Sequence, residues 1–184
     1  DIPPYPAACS PAVDDSHVYI TAVDSIHAYD KASGAQVWSA YGTMDRAVCV
    51  DDRYVYSAAP GSIKAFTKTN GKEHWTHQIE GGADMGFYNG IAIDDQHLVY
   101  VQQYSKDSVG AIVCIDKSNG AQKWKYSFNG PWTYPPSIAN GLVYVVDFQL
   151  KALWCFDIDN GNVMFQDESK RYSQRPIIAD GMVY

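Results

Sequence analysis

The sequence predicts an all-β fold, a β-propeller of four-stranded antiparallel blades with about four repeats and the start of a fifth. Three observations carry this. The word Val-Tyr recurs at Val18-Tyr19, Val55-Tyr56, Val99-Tyr100, Val143-Tyr144 and Val183-Tyr184, at spacings of 37, 44, 44 and 40 residues. A period near 40 belongs to propeller blades or to helical-repeat arrays. Asn-Gly occurs six times, at 70, 89, 119, 129, 140 and 160. Both residues tolerate φ > 0, so Asn-Gly between apolar runs is a strong hairpin signal. No 3.6-residue apolar period persists over ten residues, which removes the helical arrays.

Each repeat holds four short strands, A to D. The run Val18-Tyr19-Ile20-Thr21 is β-branched and aromatic, hence a strand, B. Ser25 to Asp30 alternates, with Ile26, Ala28 and Asp30 on one side and His27 and Tyr29 on the other, and forms strand C. Lys31 to Gly34 is a turn, and strand D follows, ending in Trp38. Ahead of strand B stand Asp14-Asp15, Asp51-Asp52, Asp94-Asp95, Asn140-Gly141 and Asp180-Gly181. These pairs mark a hairpin turn after an inner strand A. The repeats run over about 9–42, 46–79, 87–128, 134–168 and, in part, 174–184, within a single segment of residues 1–184.

Composition narrows the class. Hydrophobic residues make up 46% and charged residues 19% of the 184, a globular balance. The net charge is −7, with no basic cluster beyond Lys170-Arg171, which argues against nucleic acid as partner. No apolar run reaches the ~20 residues of a membrane helix, so no membrane span is expected. The chain opens with Asp1, which suggests a processed or excised segment. Cys114 and Cys155 stand six residues before a repeat glycine, where other copies carry Ala28 and Ala65, and read as small buried hydrophobes. Cys49 matches Ala92; Cys9 either pairs with Cys49 or is a free thiol. No spacing suggests zinc.

A longer phrase carries a resemblance. DKASGAQVW at 30–38 and DKSNGAQKW at 116–124 agree at six of nine positions, with weaker copies TKTNGKEHW at 67–75 and DIDNGNVMF at 157–165. A strand ending in Val-Tyr, followed by this phrase, resembles the PQQ-like repeat of quinoprotein-type β-propellers over essentially the whole chain. The resemblance implies that Trp38, Trp75 and Trp124 dock on a neighbouring blade near a turn glycine, the candidates being Gly34, Gly71, Gly120 and Gly161. Phe165 replaces Trp in the fourth copy. The family's dehydrogenases carry an adjacent-cysteine ring over the quinone, a Trp floor, a calcium-ligand set and an Asp base. This chain has no Cys-Cys pair. No catalytic or metal residue is therefore assigned, and neither quinone nor calcium is expected.

Other patterns read as structure. Asp157-x-Asp159-Asn160-Gly161 has its glycine one position early for an EF-hand and matches the other repeat turns. His74 and His77 have odd spacing and face opposite sides of a strand. The Asp pairs recur with the repeat, as turns do. No nucleophile-elbow, Walker or dinucleotide-binding motif is present.

Insertions point to one face. The Val-Tyr to glycine interval is 16 residues in the first two repeats and 21 in the third; the Trp to Val interval is 17, then 24, then 19. The extra residues lie in the B–C connection 104–110 and the D–A connection 80–90. Both loops leave an antiparallel blade at the same end. This nominates Phe87, Tyr88, Tyr104, Trp132, Tyr134, Arg171 and Tyr172 as a surface for a partner or ligand, against ordinary loop decoration. Four repeats do not close a ring of this family. The segment is excised from a longer chain, or two copies complete a ring, or the unfinished blade self-associates head to tail. The reading is a non-catalytic scaffold for protein binding or assembly; the resemblance implies an extracellular, periplasmic or lumenal location. The alternative is a fragment of a quinone- and calcium-dependent dehydrogenase acting on an alcohol or sugar.

Overall fold

The computed structural model describes residues 10–22, 24–42, 47–59, 61–81, 90–103, 109–129, 134–147, 150–172, 174–179 and 182–184. The chain divides into two compact units, Asp1–Ala83 and Asp84–Tyr184. Among the described residues every element is a strand.

The first unit holds two four-stranded antiparallel sheets. One is β1 (Ala12–Val13), β2 (His17–Thr21), β3 (Ser25–Asp30) and β4 (Gln36–Tyr41), in that order. The other is β5 (Val48–Val50), β6 (Tyr54–Ala59), β7 (Ser62–Thr67) and β8 (Glu73–Gln78). Tyr19, Ile26, Ala28 and Trp38 pack with Val48, Val55 and Phe66 into one core.

The second unit repeats the arrangement. Its third blade is β9 (Ile91–Ile93), β10 (His97–Gln103), β11 (Val109–Asp116) and β12 (Gln122–Asn129). Its fourth is β13 (Ser137–Ala139), β14 (Leu142–Asp147), β15 (Ala152–Asp157) and β16 (Val163–Asp167). A two-stranded sheet follows, β17 (Ile178–Ala179) with β18 (Met182–Val183). Val99, Ile112, Cys114 and Trp124 pack against Val143, Val145, Phe156 and Ile158.

The turns explain the repeated polar words. Asp14, Asp51 and Asp94 each accept two backbone N–H groups through Oδ1, from Ser16 and His17, Arg53 and Tyr54, and Gln96 and His97. Such Asx turns compete well with the extended chain and close the A–B hairpins. In the fourth blade Asn140 (φ 54°) and Gly141 (φ 74°) do the work alone, with Ala139 opposite Leu142. This is the two-residue hairpin that Asn-Gly signals. At 70–71, 119–120 and 160–161 the dipeptide sits in a wider turn, where glycine takes positive φ and its N–H bonds the carbonyl of Thr67, Asp116 or Asp157.

Strand D is bulged in every blade. Register shifts leave Val37, His74, Lys123 and Met164 opposite no partner, and they place Trp38, Trp75, Trp124 and Phe165 across from Ala28, Ala65, Cys114 and Cys155. The Val-Tyr word does not keep one register. Tyr19, Tyr56 and Tyr144 stand opposite Ala28, Ala65 and Cys155, but in the third blade Val99, not Tyr100, stands opposite Cys114. The third Val-Tyr is therefore offset by one residue. A one-residue offset in a strand moves a side chain to the other face.

Candidate functional site

Two sites emerge from the residues: a repeated joint between blades, and a recess on the turn end of the second unit.

The joint comes from strand D. The bulge turns Trp38 so that its ring lies against Gly71, where an added Cβ would meet the ring at 2.5 Å. Its Nε1–H donates to the Lys68 carbonyl at 2.8 Å. Trp124 repeats both contacts: an added Cβ at Gly161 would meet its ring at 2.7 Å, and Nε1–H donates to the Ile158 carbonyl at 2.6 Å. Gly34, in contrast, faces open space. Trp38, Trp75 and Trp124 are 7%, 9% and 8% exposed, whereas Phe165 is 45% exposed. A buried indole of this size is a large apolar contact with one polar handle, and both are satisfied at the described joints.

Charges reinforce each joint in opposite senses. In the first unit Lys68, from a C–D turn, reaches the Asp14 carboxylate of the preceding blade's A–B turn at 2.9 Å. Asp14 also accepts the Tyr19 hydroxyl. Partial burial pushes its carboxyl up, but Lys68, the amides of Ser16 and His17, and the Tyr19 hydroxyl pull it well below the usual range. In the second unit Ile158 stands in the place of Lys68, and the C–D turn contributes an anion, Asp159. Its carboxylate lies 3.4 Å from His97 Nε2 and 3.8 Å from Lys123 Nζ.

These residues line the recess, about 340 Å³ bounded by Asp94, Asp95, Gln96, His97, Ile158 and Asp159. His97 is 4% exposed. Its Nδ1 lies 3.1 Å from both Asp94 oxygens and its Nε2 lies 2.7 Å from Lys123 Nζ. An ammonium only donates, so Nε2 accepts and the ring proton sits on Nδ1, directed at Asp94. Burial raises the Asp94 carboxyl, but His97 and the amides of Gln96 and His97 lower it more. The nearby thiol of Cys114 is pushed up to about 12 by burial, so it is not a nucleophile at neutral pH. Among the described residues the recess is a polar network of Asp94, His97, Lys123 and Asp159. Sequence reasoning missed it. The available signal was His97 three residues after the turn aspartate, facing the bulge residue Lys123.

The loop surface is described only in part. Phe87, Tyr88, Tyr104 and Trp132 lie outside the described residues, as does Cys9. The Tyr134 N–H donates to the Val146 carbonyl and the Tyr172 N–H to the Lys151 carbonyl, each at 3.0 Å. Both D–A loops thus meet the B–C end of the fourth blade. The Tyr172 hydroxyl donates to Asp167, and Arg171 is exposed.

The sequence has no adjacent cysteines, and among the described residues no three His, Cys, Asp or Glu side chains gather as a metal donor set. Asp157, the first residue of the loop compared with an EF-hand, spends Oδ1 on the N–H groups of Asp159 and Asn160. Among the described residues no helix is long and apolar enough to cross a membrane.

A family model described as outer membrane protein assembly factor BamB matches residues 6–78 and 59–184. A search of the curated proteins finds no match. Among solved structures, BamB from Moraxella catarrhalis is similar at 19% identity and a TM-score of 0.72, covering 95% of this chain and 52% of that one. Quinohemoprotein alcohol dehydrogenase from Comamonas testosteroni is similar at 15% identity and a TM-score of 0.74, covering 88% and 35%. The computationally designed Ika8 protein is similar at 13% identity and a TM-score of 0.73, covering 94% and 53%. The chain thus spans about half the length of the BamB structure and less of the dehydrogenase. At these identities the likeness is one of fold, that of a β-propeller of PQQ-like repeats. The chain belongs to the family described as outer membrane protein assembly factor BamB.

Proposed function

We infer that the chain is a non-catalytic β-propeller scaffold that binds protein partners, or assembles with itself, outside the cytoplasm. One observation carries this reading. The family model that matches residues 6–78 and 59–184 is described as an outer membrane protein assembly factor, and that description favours assembly outside the cytoplasm over catalysis. The loop residues Phe87, Tyr88, Tyr104, Trp132, Tyr134, Arg171 and Tyr172 are proposed as the contact surface, tested by alanine at Tyr88 and Trp132.

The reading takes no quinone and no calcium. Two measurements test it. Native mass spectrometry is expected to show dimers, longer series or a complex with outer-membrane assembly proteins; a strict monomer that binds none of them removes the scaffold reading. A dye-linked oxidation assay on alcohols and sugars, with pyrroloquinoline quinone and Ca²⁺ added, is expected to show no turnover. Turnover there replaces the scaffold with a dehydrogenase.

A further inference from the structure

The A–B hairpin of the fourth blade lacks a device that the other three share. In those blades the turn aspartate holds a backbone amide: Ser16, Arg53 and Gln96 donate their N–H groups to Asp14, Asp51 and Asp94. The Ile158 N–H donates to the Gly141 carbonyl, as Lys31, Lys68 and Lys117 donate to Ser16, Arg53 and Gln96. Gly141 thus holds the place of those three residues, Asn140 that of Asp15, Asp52 and Asp95, and Ala139 that of the holding aspartates. Alanine has no side-chain acceptor, so the Gly141 N–H is left beside the side-chain amide of Asn140. Among the described residues neither group has a hydrogen-bond partner. Asn140 and Gly141 are both exposed, and a Cβ at Gly141 would meet nothing within 4 Å. Asp15 and Asp95 are exposed as well, although a following blade packs on theirs, so exposure belongs to this turn position.

Three other Asn-Gly pairs are locked at both groups. Gly71, Gly120 and Gly161 donate their N–H to the carbonyls of Thr67, Asp116 and Asp157. Oδ1 of Asn70, Asn119 and Asn160 accepts the N–H of Lys72, Ala121 and Asn162. Gly71 and Gly161 are also pressed against indole rings, which confines the chain there. Asn89 and Gly130 lie outside the described residues.

We propose that Asn140 is a site of spontaneous deamidation, reacting well ahead of those three pairs. The Gly141 nitrogen gives its proton to hydroxide and attacks Asn140 Cγ. The new C–N bond closes a succinimide ring, the Cγ–Nδ2 bond breaks, and the amide nitrogen leaves as ammonia. Water then opens the ring at one of its two carbonyls, and nothing is oxidised or reduced. Opening on the side-chain carbonyl leaves aspartate in an ordinary backbone; opening on the other routes the chain through the side chain as isoaspartate. Aspartate is the residue that Asp15, Asp52 and Asp95 supply at this place, and Asp-Gly suits the same two-residue hairpin. Isoaspartate adds a carbon to the backbone between Ala139 and Leu142, whose pairing fixes the register of β13 on β14. The two products therefore differ: one keeps the hairpin and the other disturbs it.

The test incubates the folded chain in mildly alkaline buffer and follows each Asn-Gly peptide by digestion and mass spectrometry, where amide loss registers as the mass gain of acid over amide. Asn140 is expected to react about tenfold or more faster than Asn70, Asn119 and Asn160, which must first break the hydrogen bonds that lock them. In concentrated urea the four are expected to react at similar rates, because each then presents the same dipeptide. Asn140→Asp is expected to keep the parent's thermal midpoint, and the isoaspartate form, separated chromatographically, to melt lower. An Asn140 no faster than the other three in the folded chain overturns the proposal. The same order of rates persisting in urea also overturns it, since sequence rather than the turn would then select the site. An isoaspartate form that melts with the parent overturns the disturbed hairpin.

Discussion

His97 gives the Asp94 carboxylate the side-chain hydrogen bond that a tyrosine hydroxyl gives in the first two blades. There Tyr19 donates to Asp14 and Tyr56 to Asp51. In the third blade the tyrosine's place holds Val99, and an imidazole takes over from the other side of the turn. His97→Leu should therefore lower stability by about 1–3 kcal/mol, the usual cost of stranding a buried hydrogen-bonding group. The urea midpoint should fall with an unchanged slope. A neutral result would mean that Asp94 is held by its backbone amides alone.

The two glycines Gly34 and Gly71 separate backbone strain from ring packing. Their φ angles are +71° and +69°, so alanine is strained by a similar amount at each, about 1–2 kcal/mol. Only at Gly71 does the added Cβ meet the Trp38 ring. Gly71→Ala should cost about 1–3 kcal/mol more than Gly34→Ala. Thermal unfolding of the pair measures the difference, and equal losses would show that the Trp38 contact yields freely.

Trp124→Phe isolates the polar part of a joint. It keeps a ring against Gly161 and removes the hydrogen bond to the Ile158 carbonyl. A loss of about 1–2 kcal/mol is expected, smaller than the roughly 3–5 kcal/mol for Trp124→Ala. Denaturant titration of both variants checks the order.

Acid should loosen the A–B turns. Asp14 and Asp94 are held below their ordinary carboxylate value of 3.8 in the folded chain. The unfolded chain then binds more protons as pH falls, so the stability these carboxylates add is full above about pH 4 and drains away below it. Asp14→Asn should flatten that dependence and be less stable at pH 7, because it removes the charge facing Lys68. Urea midpoints at pH 7 and pH 3 test this. A variant as acid-sensitive as the parent would exonerate Asp14.

The repeat was legible because its residues answer to local rules. Gly34, Gly71, Gly120 and Gly161 need positive φ, and Trp38, Trp75 and Trp124 follow them at fixed distance, so backbone geometry alone writes the phrase. Tyr100 shows where this stops. The word Val-Tyr is present at 99–100, yet its register is set by the A–B turn and by Cys114 across the ladder, and the word slides by one. The recess was illegible for a different reason. His97, Lys123 and Asp159 come from a turn, a bulge and the next blade's turn, and each is unremarkable within its own repeat. Only packing of the third blade on the fourth brings them together.

The bulge in strand D has one more consequence. In each blade it sets aside a single residue that no neighbouring strand selects, and the four are as unlike as Val37, His74, Lys123 and Met164, all exposed. A chain built by copying one phrase thereby retains one position per copy whose chemistry is free to drift. His74 uses it to stack on Tyr54 with ring centroids 4.5 Å apart, and Lys123 uses it to reach His97. Those same four positions are natural attachment points for reporter groups, since a cysteine and dye placed there would mark each blade separately without entering a sheet.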